Sequence, residues 1–526
     1  MRVVTAEEMR EIDRRAAQAG IPTEVLMRNA GRAVAEKTIE WLREVARSEI
    51  LVLVGPGNNG GDGLVAANHF HDAGARVTLY IWRRKVEGDA NFEATQWRGI
   101  PVVRAEDDEG LVELSQLVSR ADVIVDALLG TGKAREITGL LQAVLETVAQ
   151  KMRPEASVVA VDLPTGLNAD TGAVDKVTVP ANLTVTLGYP KPGLFLPPGL
   201  ECVGKLVVAD IGFPPEPEGR SDLEMTTPSM VRQSLPRRPV GSHKGTFGKV
   251  MVIAGSINYV GAPCLSCLGA ARAGAGLVTL ASPTTIHPIV ASKLTETTFL
   301  PLPDTLPGVL RTDAVAVLAR EVPGFSAVLL GPGLGQSPPT IEFVESLLKW
   351  AGRSQTADHF QRWVIDADGL NALNHILKWW ELLPSGTVLT PHPAELGRLM
   401  RATASEVQAD RIGRARAAAV EWNCVVVLKG ANTIIAAPDG QTFINPSANP
   451  ALASAGTGDV LSGAISGLLA QGVEPKWAAV AGVYLHAAAG EMVRDSLGSA
   501  GALAGDLLPR LPLAIKAVRR ERGVSA

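Results

Sequence analysis

Short apolar runs rich in β-branched residues alternate along this chain with segments of helical periodicity. The N-terminal runs are ILVLV (50–54), ARVTLYI (75–81), ADVIVD (121–126) and SVVAVD (157–162). A strand that is apolar throughout is buried on both faces, as in a parallel sheet covered by helices on each side. The alternation therefore predicts an α/β fold that begins with a three-layer domain.

The same alternation restarts after a polar, proline-rich segment, FPPEPEGRSD (213–222). Such a segment cannot pair as a central strand, which makes it the predicted domain boundary. The apolar runs that follow are KVMVIAG (249–255), GLVTLAS (276–282), FSAVLLG (325–331), RWVIDAD (362–368), GTVLT (386–390) and CVVVLKG (424–430). We therefore predict two α/β domains, residues 1–218 and 226–526.

Composition excludes several classes of partner. A net charge of −4 provides no basic field for nucleic acid or an anionic membrane, and aromatic residues make up only 4% of the chain. Four cysteines cannot form a disulfide framework, and no apolar stretch is long enough to cross a bilayer. We expect a cytoplasmic homo-oligomer that acts on small molecules, without nucleic acid or membrane partners.

The first apolar run leads into a glycine-rich loop, GPGNNGGDG (55–63). Gly55, Gly57 and Gly60 satisfy the G-x-G-x-x-G pattern between a strand and a predicted helix, which indicates a Rossmann-like dinucleotide site. Arg83 and Arg84 follow the second strand. They either meet a 2′-phosphate or form a solvated strand end.

Oxygen-bearing side chains gather at the predicted strand ends. Asp62 lies in the glycine-rich loop, and Asp126 and Asp162 end later strands. Because the carboxyl ends of parallel strands converge, these carboxylates are expected to share one site that suits a hard cation or a ribose. The N–H groups of Gly130–Gly132 would serve an anion. The alternative for each aspartate is a helix cap or a turn.

The C-terminal half carries a second glycine-containing loop, NPALASAGTGDV (449–460). Gly456, Thr457 and Gly458 would present N–H groups at a helix N-terminus, where phosphate binds favourably. Asp459 could then accept the proton of an alcohol that attacks a phosphoryl group, or simply complement the helix dipole. The segment Lys429–Thr433 offers a cation and turn amides, and His392, between two prolines, is predicted to contact ligand rather than to pack in the core.

These motifs resemble two enzyme families. The segments LMRNAGRAVAE (26–36), GPGNNGGDG (55–63), DALLGTG (126–132) and VDLPTGLNADTG (161–172) are similar to the NAD(P)H-hydrate epimerases. The segments GPGLG (331–335), DADGLNAL (366–373), TPHPAE (390–395), KGANT (429–433) and NPALASAGTGDVLSG (449–463) resemble the ADP-dependent NAD(P)H-hydrate dehydratases, which have a ribokinase-like α/β fold. Their order is that of the bifunctional repair enzymes, with residues 1–218 as the epimerase domain and 226–526 as the dehydratase domain.

The resemblance implies a set of residues in the epimerase half. Asp162 is the expected proton-transfer residue, and K⁺ is expected on Asn59, Asp126 and Thr165, where Thr165 replaces a usual serine. The hydrated nucleotide is expected to bind Asn58, Asn59, Gly60, Gly61, Asp62, Gly130, Thr131, Gly132, Lys133, Ala134, Arg135 and Glu136.

In the dehydratase half, the resemblance implies Asp459 as the catalytic residue and places the hydrate near Gly333, His392 and Asp459. ADP, with Mg²⁺, is expected to bind Lys429, Gly430, Ala431, Asn432, Thr433, Gly456, Thr457 and Gly458. Two alternatives remain open at this point. The chain could be a ribokinase-type kinase of a small alcohol or vitamin fused to a regulatory dinucleotide-binding domain, or its N-terminal half could be a non-catalytic binding module.

Overall fold

The computed structural model describes residues 1–132, 136–214, 222–353 and 362–520. The chain divides into two compact units, Met1–Arg220 and Ser221–Ala526. The elements of the first unit are α1 (Ala6–Gln18), α2 (Thr23–Leu42), β1 (Glu49–Val54), α3 (Asn58–Asp72), β2 (Arg76–Ile81), α4 (Ala90–Trp97), β3 (Val102–Arg104), α5 (Val112–Arg120), β4 (Val123–Ala127), α6 (Leu140–Lys151), β5 (Ser157–Val161), β6 (Leu183–Leu187), α7 (Leu200–Val203) and β7 (Lys205–Ala209).

The first unit is built on one parallel sheet with the strand order β3-β2-β1-β4-β5-β6-β7. Alternate residues of β1 enter two different cores. Ile50, Val52 and Val54 pack with residues of α1–α3, whereas Leu51 and Leu53 pack with residues of α5 and α6. This two-sided burial explains why the strands are apolar throughout. The order of the first six strands is that of a doubly wound Rossmann fold, so the Rossmann-like architecture is confirmed, whereas the dinucleotide site stays a prediction.

The strands of the second unit are β8 (Leu223–Met225), β9 (Lys249–Ile253), β10 (Leu277–Pro283), β11 (Thr298–Leu302), β12 (Asp304–Leu306), β13 (Val309–Leu310), β14 (Ala327–Leu330), β15 (Arg362–Ile365), β16 (Val388–Leu389), β17 (Val425–Leu428), β18 (Ile434–Ala436) and β19 (Thr442–Ile444). Its helices are α8 (Pro228–Ser234), α9 (Gly261–Arg272), α10 (His287–Ala291), α11 (Ala314–Glu321), α12 (Pro338–Arg353), α13 (Asp368–Leu373), α14 (Pro393–Met400), α15 (Ala404–Ala409), α16 (Arg411–Glu421), α17 (Thr457–Ala470), α18 (Pro475–Leu497), α19 (Ala504–Leu507) and α20 (Leu511–Arg520).

The large sheet of the second unit has the order β11-β10-β9-β14-β15-β16-β17-β18-β19-β8. It is parallel from β11 to β17, and it becomes antiparallel where β17 pairs with β18 and β18 with β19. The predicted α/β class is thus confirmed for both units. The chain leaves helical geometry at Asp410, between α15 and α16, and the Asp410 side chain accepts from the Gly413 N–H to begin α16.

Helix α17 lies in the core of the second unit and approaches α9 closely. A Cβ atom at Gly463 would lie 2.2 Å from the carbonyl oxygen of Ser266, and one at Gly467 would lie 2.5 Å from that of Ala270. Only glycine permits this backbone approach. The packing fixes the position of the α17 N-terminus, where the predicted phosphate-binding residues lie. Among the described residues, no helix is both long and apolar enough to span a membrane.

Candidate functional site

The glycine-rich segment of the first unit begins a helix, which corrects the prediction of a loop over 55–63. Helix α3 starts at Asn58, so Asn58–Gly63 form its first turns. A Cβ atom at Gly60 would lie 2.0 Å from the carbonyl oxygen of Gly55, and one at Gly55 would lie 1.8 Å from that of Leu128. Glycine therefore lets this helix start against the ends of β1 and β4. The first N–H groups of a helix have no partner within it, so the predicted anion site here stays a prediction.

Asp162 follows β5 directly and takes a left-handed backbone with φ of 66°, a strained conformation for a non-glycine residue. Its Oδ1 atom accepts from the Thr186 hydroxyl and the Leu187 N–H, both at 3.1 Å, and from the Lys191 ammonium. The Lys191 side chain is 1% exposed. A buried ion pair therefore holds the predicted proton-transfer residue in one orientation.

Two further carboxylates act electrostatically on this ion pair. Burial, followed by the charge of Asp162, raises the pKa of Asp62 well above its usual range. Burial also raises the pKa of Asp13 on α1, against the opposing effect of Lys191. Sequence reasoning did not include Asp13 or Lys191 in the site. The arrangement contains one carboxylate paired with a cation and two carboxyl groups whose pKa is raised by burial, and carboxyl groups in such different environments are typical of acid–base chemistry.

The predicted K⁺ ligands lie next to one another. The hydroxyl of Thr165 donates to Asp126 Oδ1 at 2.7 Å, and the N–H of Thr165 donates to Asp126 Oδ2 at 2.7 Å. A Cβ atom at Gly130 would lie 3.2 Å from Asn59 Oδ1, so the Asn59 amide packs against the segment after β4. Burial raises the pKa of Asp126, although hydrogen bonds from Thr165 and Leu128 oppose this.

The remaining predicted residues of this unit differ in their surroundings. The N–H of Gly132 donates to the Gly130 carbonyl at 2.8 Å in a tight turn, and Thr131 lies between them. Glu136 is exposed, with Lys176 3.9 Å away. Lys133, Ala134 and Arg135 lie outside the described residues.

Arg84 is not the solvated strand end that was one of its two predicted roles. Its guanidinium donates to the carbonyl oxygens of Gly55 (3.1 Å) and Gly57 (2.8 Å), and Nε donates to Asp89 at 2.7 Å. Its side chain is only 10% exposed. Arg84 therefore holds the backbone that precedes α3 and is not a solvated strand end, whereas Arg83 is exposed.

In the second unit, the predicted phosphate-binding residues form the beginning of α17. Gly456 caps the helix with φ of 89°, and Gly458 and Asp459 lie in its first turn. A Cβ atom at Gly458 would lie 3.5 Å from the Lys429 ammonium nitrogen. Burial, followed by the charge of Asp366, raises the pKa of Asp459 to about 7, with Lys429 opposing. This carboxyl group is thus set to exchange a proton near neutral pH.

Lys429 is the centre of a buried charge cluster beside the α17 N-terminus. Its ammonium lies 2.8 Å from Asp366 Oδ1 and 3.8 Å from Glu395 Oε2. Burial alone would lower the pKa of Lys429, but the two carboxylates raise it overall. A lysine that stays charged next to a helix N-terminus provides a strong phosphate site. Asp366 and Glu395 were absent from the predicted site residues.

His392 has a structural role that sequence reasoning missed. It caps α14, because its Nδ1 atom accepts from the N–H groups of Ala394 and Glu395 at 3.2 and 3.3 Å. Burial, followed by Lys429, lowers the pKa of His392. Because Nδ1 accepts these two bonds, the ring proton is assigned to Nε2. The side chain is still 47% exposed, so a ligand contact through this face stays a prediction.

Two backbone loops complete the second site. Gly333 takes a left-handed backbone, and the nearby Gly335 N–H donates to Asp368 at 2.9 Å. In the KGANT segment, the Asn432 N–H donates to the Ser447 carbonyl at 2.8 Å, and Thr433 donates to Gly430 at 2.9 Å. Ala431 lies between Gly430 and Asn432. These internal bonds give the predicted nucleotide segment a defined shape.

Two family models match separate parts of the chain. The model described as YjeF-related protein N-terminus matches residues 23–193, and the model described as NAD(P)H-hydrate dehydratase matches residues 250–512. The bifunctional NAD(P)H-hydrate repair enzyme of Moorella thermoacetica is 41% identical over 99% of this chain and 98% of its own length. This chain belongs to the bifunctional NAD(P)H-hydrate repair enzymes.

Other bifunctional NAD(P)H-hydrate repair enzymes match over similar lengths. The enzyme of Thermofilum pendens is 36% identical over 99% of this chain and 97% of its own length. Among solved structures, an ADP/ATP-dependent NAD(P)H-hydrate dehydratase from Bacillus subtilis, co-crystallised with ATP and Mg²⁺, has a TM-score of 0.47 and 32% identity, covering 56% of this chain and 98% of that chain. The family resemblance is confirmed, and the fused vitamin or small-alcohol kinase is not supported.

The contacts of the three predicted aspartates of this repair enzyme differ. The charge of Asp162 acts on Asp62, whereas Asp126 is bonded to Thr165 and Leu128. One shared site for the three aspartates stays a prediction. Lys191 could have been found from its position between two prolines in YPKPG, and Asp366 from its position directly after an apolar strand.

Proposed function

We propose that this chain repairs hydrated NADH and NADPH. Residues 1–218 interconvert the R and S hydrates, and residues 226–526 dehydrate the S form with ADP. The observation that carries the proposal is the 41% identity to a bifunctional repair enzyme over nearly the full length of both chains. The geometry adds support, because each unit contains a carboxylate at the carboxyl edge of its parallel sheet.

In the dehydratase unit, Asp459 takes the proton from the hydroxyl group of the hydrate. The hydroxyl oxygen bonds to the terminal phosphorus of ADP, and the bond from that phosphorus to AMP breaks. The phosphorylated group then departs as phosphate while a ring proton is lost, which restores the double bond of the reduced nicotinamide. Lys429 and the first-turn N–H groups of α17 stabilise the charge that develops on the phosphoryl oxygens.

The residues beside α17 fit a Mg²⁺ ion that is held jointly with phosphates. Asp366 uses Oδ1 for both Lys429 and the Ala367 N–H, which leaves Oδ2 available. Mg²⁺ typically binds one or two carboxylates together with substrate phosphates. Asp366 would hold the ion together with the phosphates, and the ion would neutralise part of the phosphate charge when bound. ADP rather than ATP as donor is part of the proposal.

In the epimerase unit, Asp162 transfers the proton at the hydrated ring carbon. Its Oδ1 atom receives every hydrogen bond that the described residues make to this carboxylate, so Oδ2 is the oxygen that faces substrate. The first turns of α3 and the Gly130–Gly132 turn bind the nucleotide, because they present N–H groups at the sheet edge. Asp62, whose pKa is raised by burial, contacts the substrate from the first turns of α3.

The oxygen-bearing side chains of Asn59, Asp126 and Thr165 fit a monovalent cation. Asp126 is buried, and its hydrogen-bond partners, Thr165 and Leu128, are neutral. The buried Asn59 Nδ2 atom has no partner among the described residues, so the amide is not fixed by the protein. Carboxylate, amide and hydroxyl oxygens suit a hard cation. K⁺ held by Asn59, Asp126 and Thr165 would supply a positive charge near the nucleotide.

One experiment tests both activities in the full-length chain. An equal mixture of R and S hydrates is incubated with Mg²⁺ and either ADP or ATP, and the absorbance of reduced nicotinamide is followed. Complete recovery with ADP supports the proposal. Recovery of only half the hydrate contradicts the epimerase assignment, and a stable phosphorylated product without recovered absorbance contradicts the dehydratase assignment. Light scattering of the same sample tests the predicted homo-oligomer.

A further inference from the structure

We infer that Lys191 is a positioning residue of the epimerase, which acts through Asp162 and does not contact the reacting ring. This inference rests on the proposed role of Asp162 as the proton-transfer residue. It goes further because it assigns a task to a lysine that neither the glycine-rich motif nor the aspartate motif contains.

The first argument is the burial of the lysine and the direction of its bonds. The Lys191 ammonium donates to Asp162 Oδ1, to the Thr186 hydroxyl at 3.2 Å and to the Leu187 carbonyl at 3.3 Å. These three acceptors match the three protons of an ammonium group. With 1% of its side chain exposed, Lys191 has no remaining donor for a substrate.

The second argument is that the Asp162 carboxylate is anchored on one side only. Lys191, Thr186 and the Leu187 N–H all donate to Oδ1. Because Oδ1 is fixed and the backbone of Asp162 is held at φ of 66°, the direction of Oδ2 is also fixed. A proton acceptor held in this way needs little reorganisation before it meets its substrate.

The third argument is that the backbone around Lys191 is itself rigid. Lys191 lies between Pro190 and Pro192, whose rings restrict the backbone. The Pro190 carbonyl accepts from the Val4 N–H at 3.0 Å, and the Gly193 N–H donates to the Ala169 carbonyl at 2.7 Å. The lysine therefore reaches Asp162 from a segment that is hydrogen-bonded to Val4 near the N-terminus and to Ala169 in the loop after β5.

The charged groups around the pair make the lysine necessary. Asp13 on α1 and Asp62 on α3 both act on this site, together with Arg84. Arg84 is bonded to Asp89 and to the backbone before α3. Lys191 is consequently the cation that contacts Asp162, and without it three acidic groups would lie near one another with no bonded counter-charge.

The test compares Lys191→Met, Lys191→Gln and Lys191→Arg with the surface control Lys205→Met, in the full-length chain. Epimerisation is measured from R hydrate with the S form trapped by excess wild-type dehydratase activity. We expect kcat for Lys191→Met to fall about 10–100-fold with KM changed less than about threefold. Lys191→Arg should recover most of the loss, and Lys205→Met should match the wild type.

A second measurement separates positioning from a merely structural role. If Lys191 acts through Asp162, adding Lys191→Met to Asp162→Asn should lower epimerisation no further than Asp162→Asn alone. Should Lys191→Met fail to fold, Lys191→Gln carries the test, because it keeps a donor for Asp162 and removes only the charge. Unchanged kcat in Lys191→Gln, or additive losses in the double variant, would overturn the inference. If Asp162→Asn itself epimerises at the wild-type rate, the proposed function fails instead.

Discussion

The two units place an aspartate at the edge of a parallel sheet in different ways. Asp162 follows strand β5 and is bonded to a buried lysine, whereas Asp459 lies in the first turn of helix α17. The cation in the second unit, Lys429, contacts Asp366 and not Asp459. Burial accordingly raises the pKa of Asp459 to about 7. One unit pairs its aspartate with a bonded cation, and the other holds its aspartate in a buried position that raises its pKa to about 7.

This difference matches the chemistry proposed for each unit. Attack of an alcohol on a phosphoryl group requires a base that accepts a proton near neutral pH, and then releases it. Exchange between two epimers returns each proton to the substrate. The orientation of the Asp162 carboxylate toward the ring is therefore more important there than a pKa near 7. Variants that affect one unit alone test this difference between the two aspartates.

The largest effect is expected from Asp459→Asn. The asparagine keeps the shape of the side chain but cannot accept the hydroxyl proton, so dehydration of S hydrate should fall about 10³-fold. Epimerisation should remain at the wild-type rate. Recovery of nicotinamide absorbance measures the first activity, and chiral separation of the hydrates measures the second. Asp495→Asn, at an exposed position on α18, is the matched control; a comparable loss in that control would remove the case for Asp459.

Asp162→Asn should affect the other activity. We expect epimerisation to fall about 10²-fold because the proton-transfer group is lost, while dehydration of pure S hydrate stays unchanged. With the equal mixture of hydrates, the recovered absorbance should stop at half in the time that the wild type needs for completion. Asp107→Asn, on an exposed turn of the same unit, provides the control. Complete recovery by Asp162→Asn would assign epimerisation to another residue.

Glycines at the start of α3 allow a test of stability. Gly60→Ala should lower the free energy of unfolding of the first unit by about 2–3 kcal/mol, because its Cβ would collide with a backbone carbonyl. Gly57→Ala has open space around its Cβ and should cost much less. Denaturant unfolding monitored by hydrogen exchange of the first unit distinguishes the two. Equal losses would mean that close packing is not what these glycines provide.

The rate of dehydration should depend on pH near neutrality. Because the pKa of Asp459 is about 7, kcat/KM for dehydration should fall about tenfold per pH unit below pH 7. Stability follows from the same pKa. A folded-state pKa above the unfolded value of about 4 stabilises the fold at low pH, and this contribution is lost as pH rises from about 4 to 7.

Removing this carboxylate should therefore help the fold only where it is ionised. Asp459→Asn is expected to unfold at a higher temperature than the wild type at pH 8, and the two should converge near pH 4. Differential scanning calorimetry of the ligand-free proteins makes the comparison. A pH-independent difference between them would indicate that Asp459 is not the titrating group.

The smallest effect concerns the cation of the epimerase unit. We expect K⁺, compared with tetramethylammonium, to raise the unfolding midpoint of the wild type by about 2–4 °C, since an ion that binds only the folded state stabilises it. Thr165→Val should lose this shift, and Thr147→Val, on α6, should keep it. If K⁺ raises the unfolding midpoint of all three proteins equally, Asn59, Asp126 and Thr165 do not bind the ion.

Sequence alone predicted the parts of the fold that depend on local patterns. Strands β1, β4 and β5 were found because each is a continuous apolar run, whereas β8, β18 and β19 are three residues long and give no periodic signal. The start of α3 was placed too late, because asparagine and glycine have low helix propensity that tertiary packing overrides here.

The site residues also divide into those that a local pattern predicts and those that it does not. Aspartates directly after predicted strands could be proposed as a group, because strand ends converge. The bond from Lys191 to Asp162 joins residues 29 positions apart, and that from Lys429 to Asp366 joins residues 63 apart. Such partners depend on how strands are ordered in the sheet, and no local pattern specifies that order.

The burial of α17 has a consequence for how the second unit responds to its ligand. Nearly every residue from Val460 to Ala470 is enclosed by the core, so the helix cannot loosen without opening the whole unit. A nucleotide that binds at its first turn therefore acts on global unfolding and not on a local loop. Saturation with ADP should slow proteolysis throughout this unit, which makes resistance to protease a simple assay for ligands when no substrate hydrate is at hand.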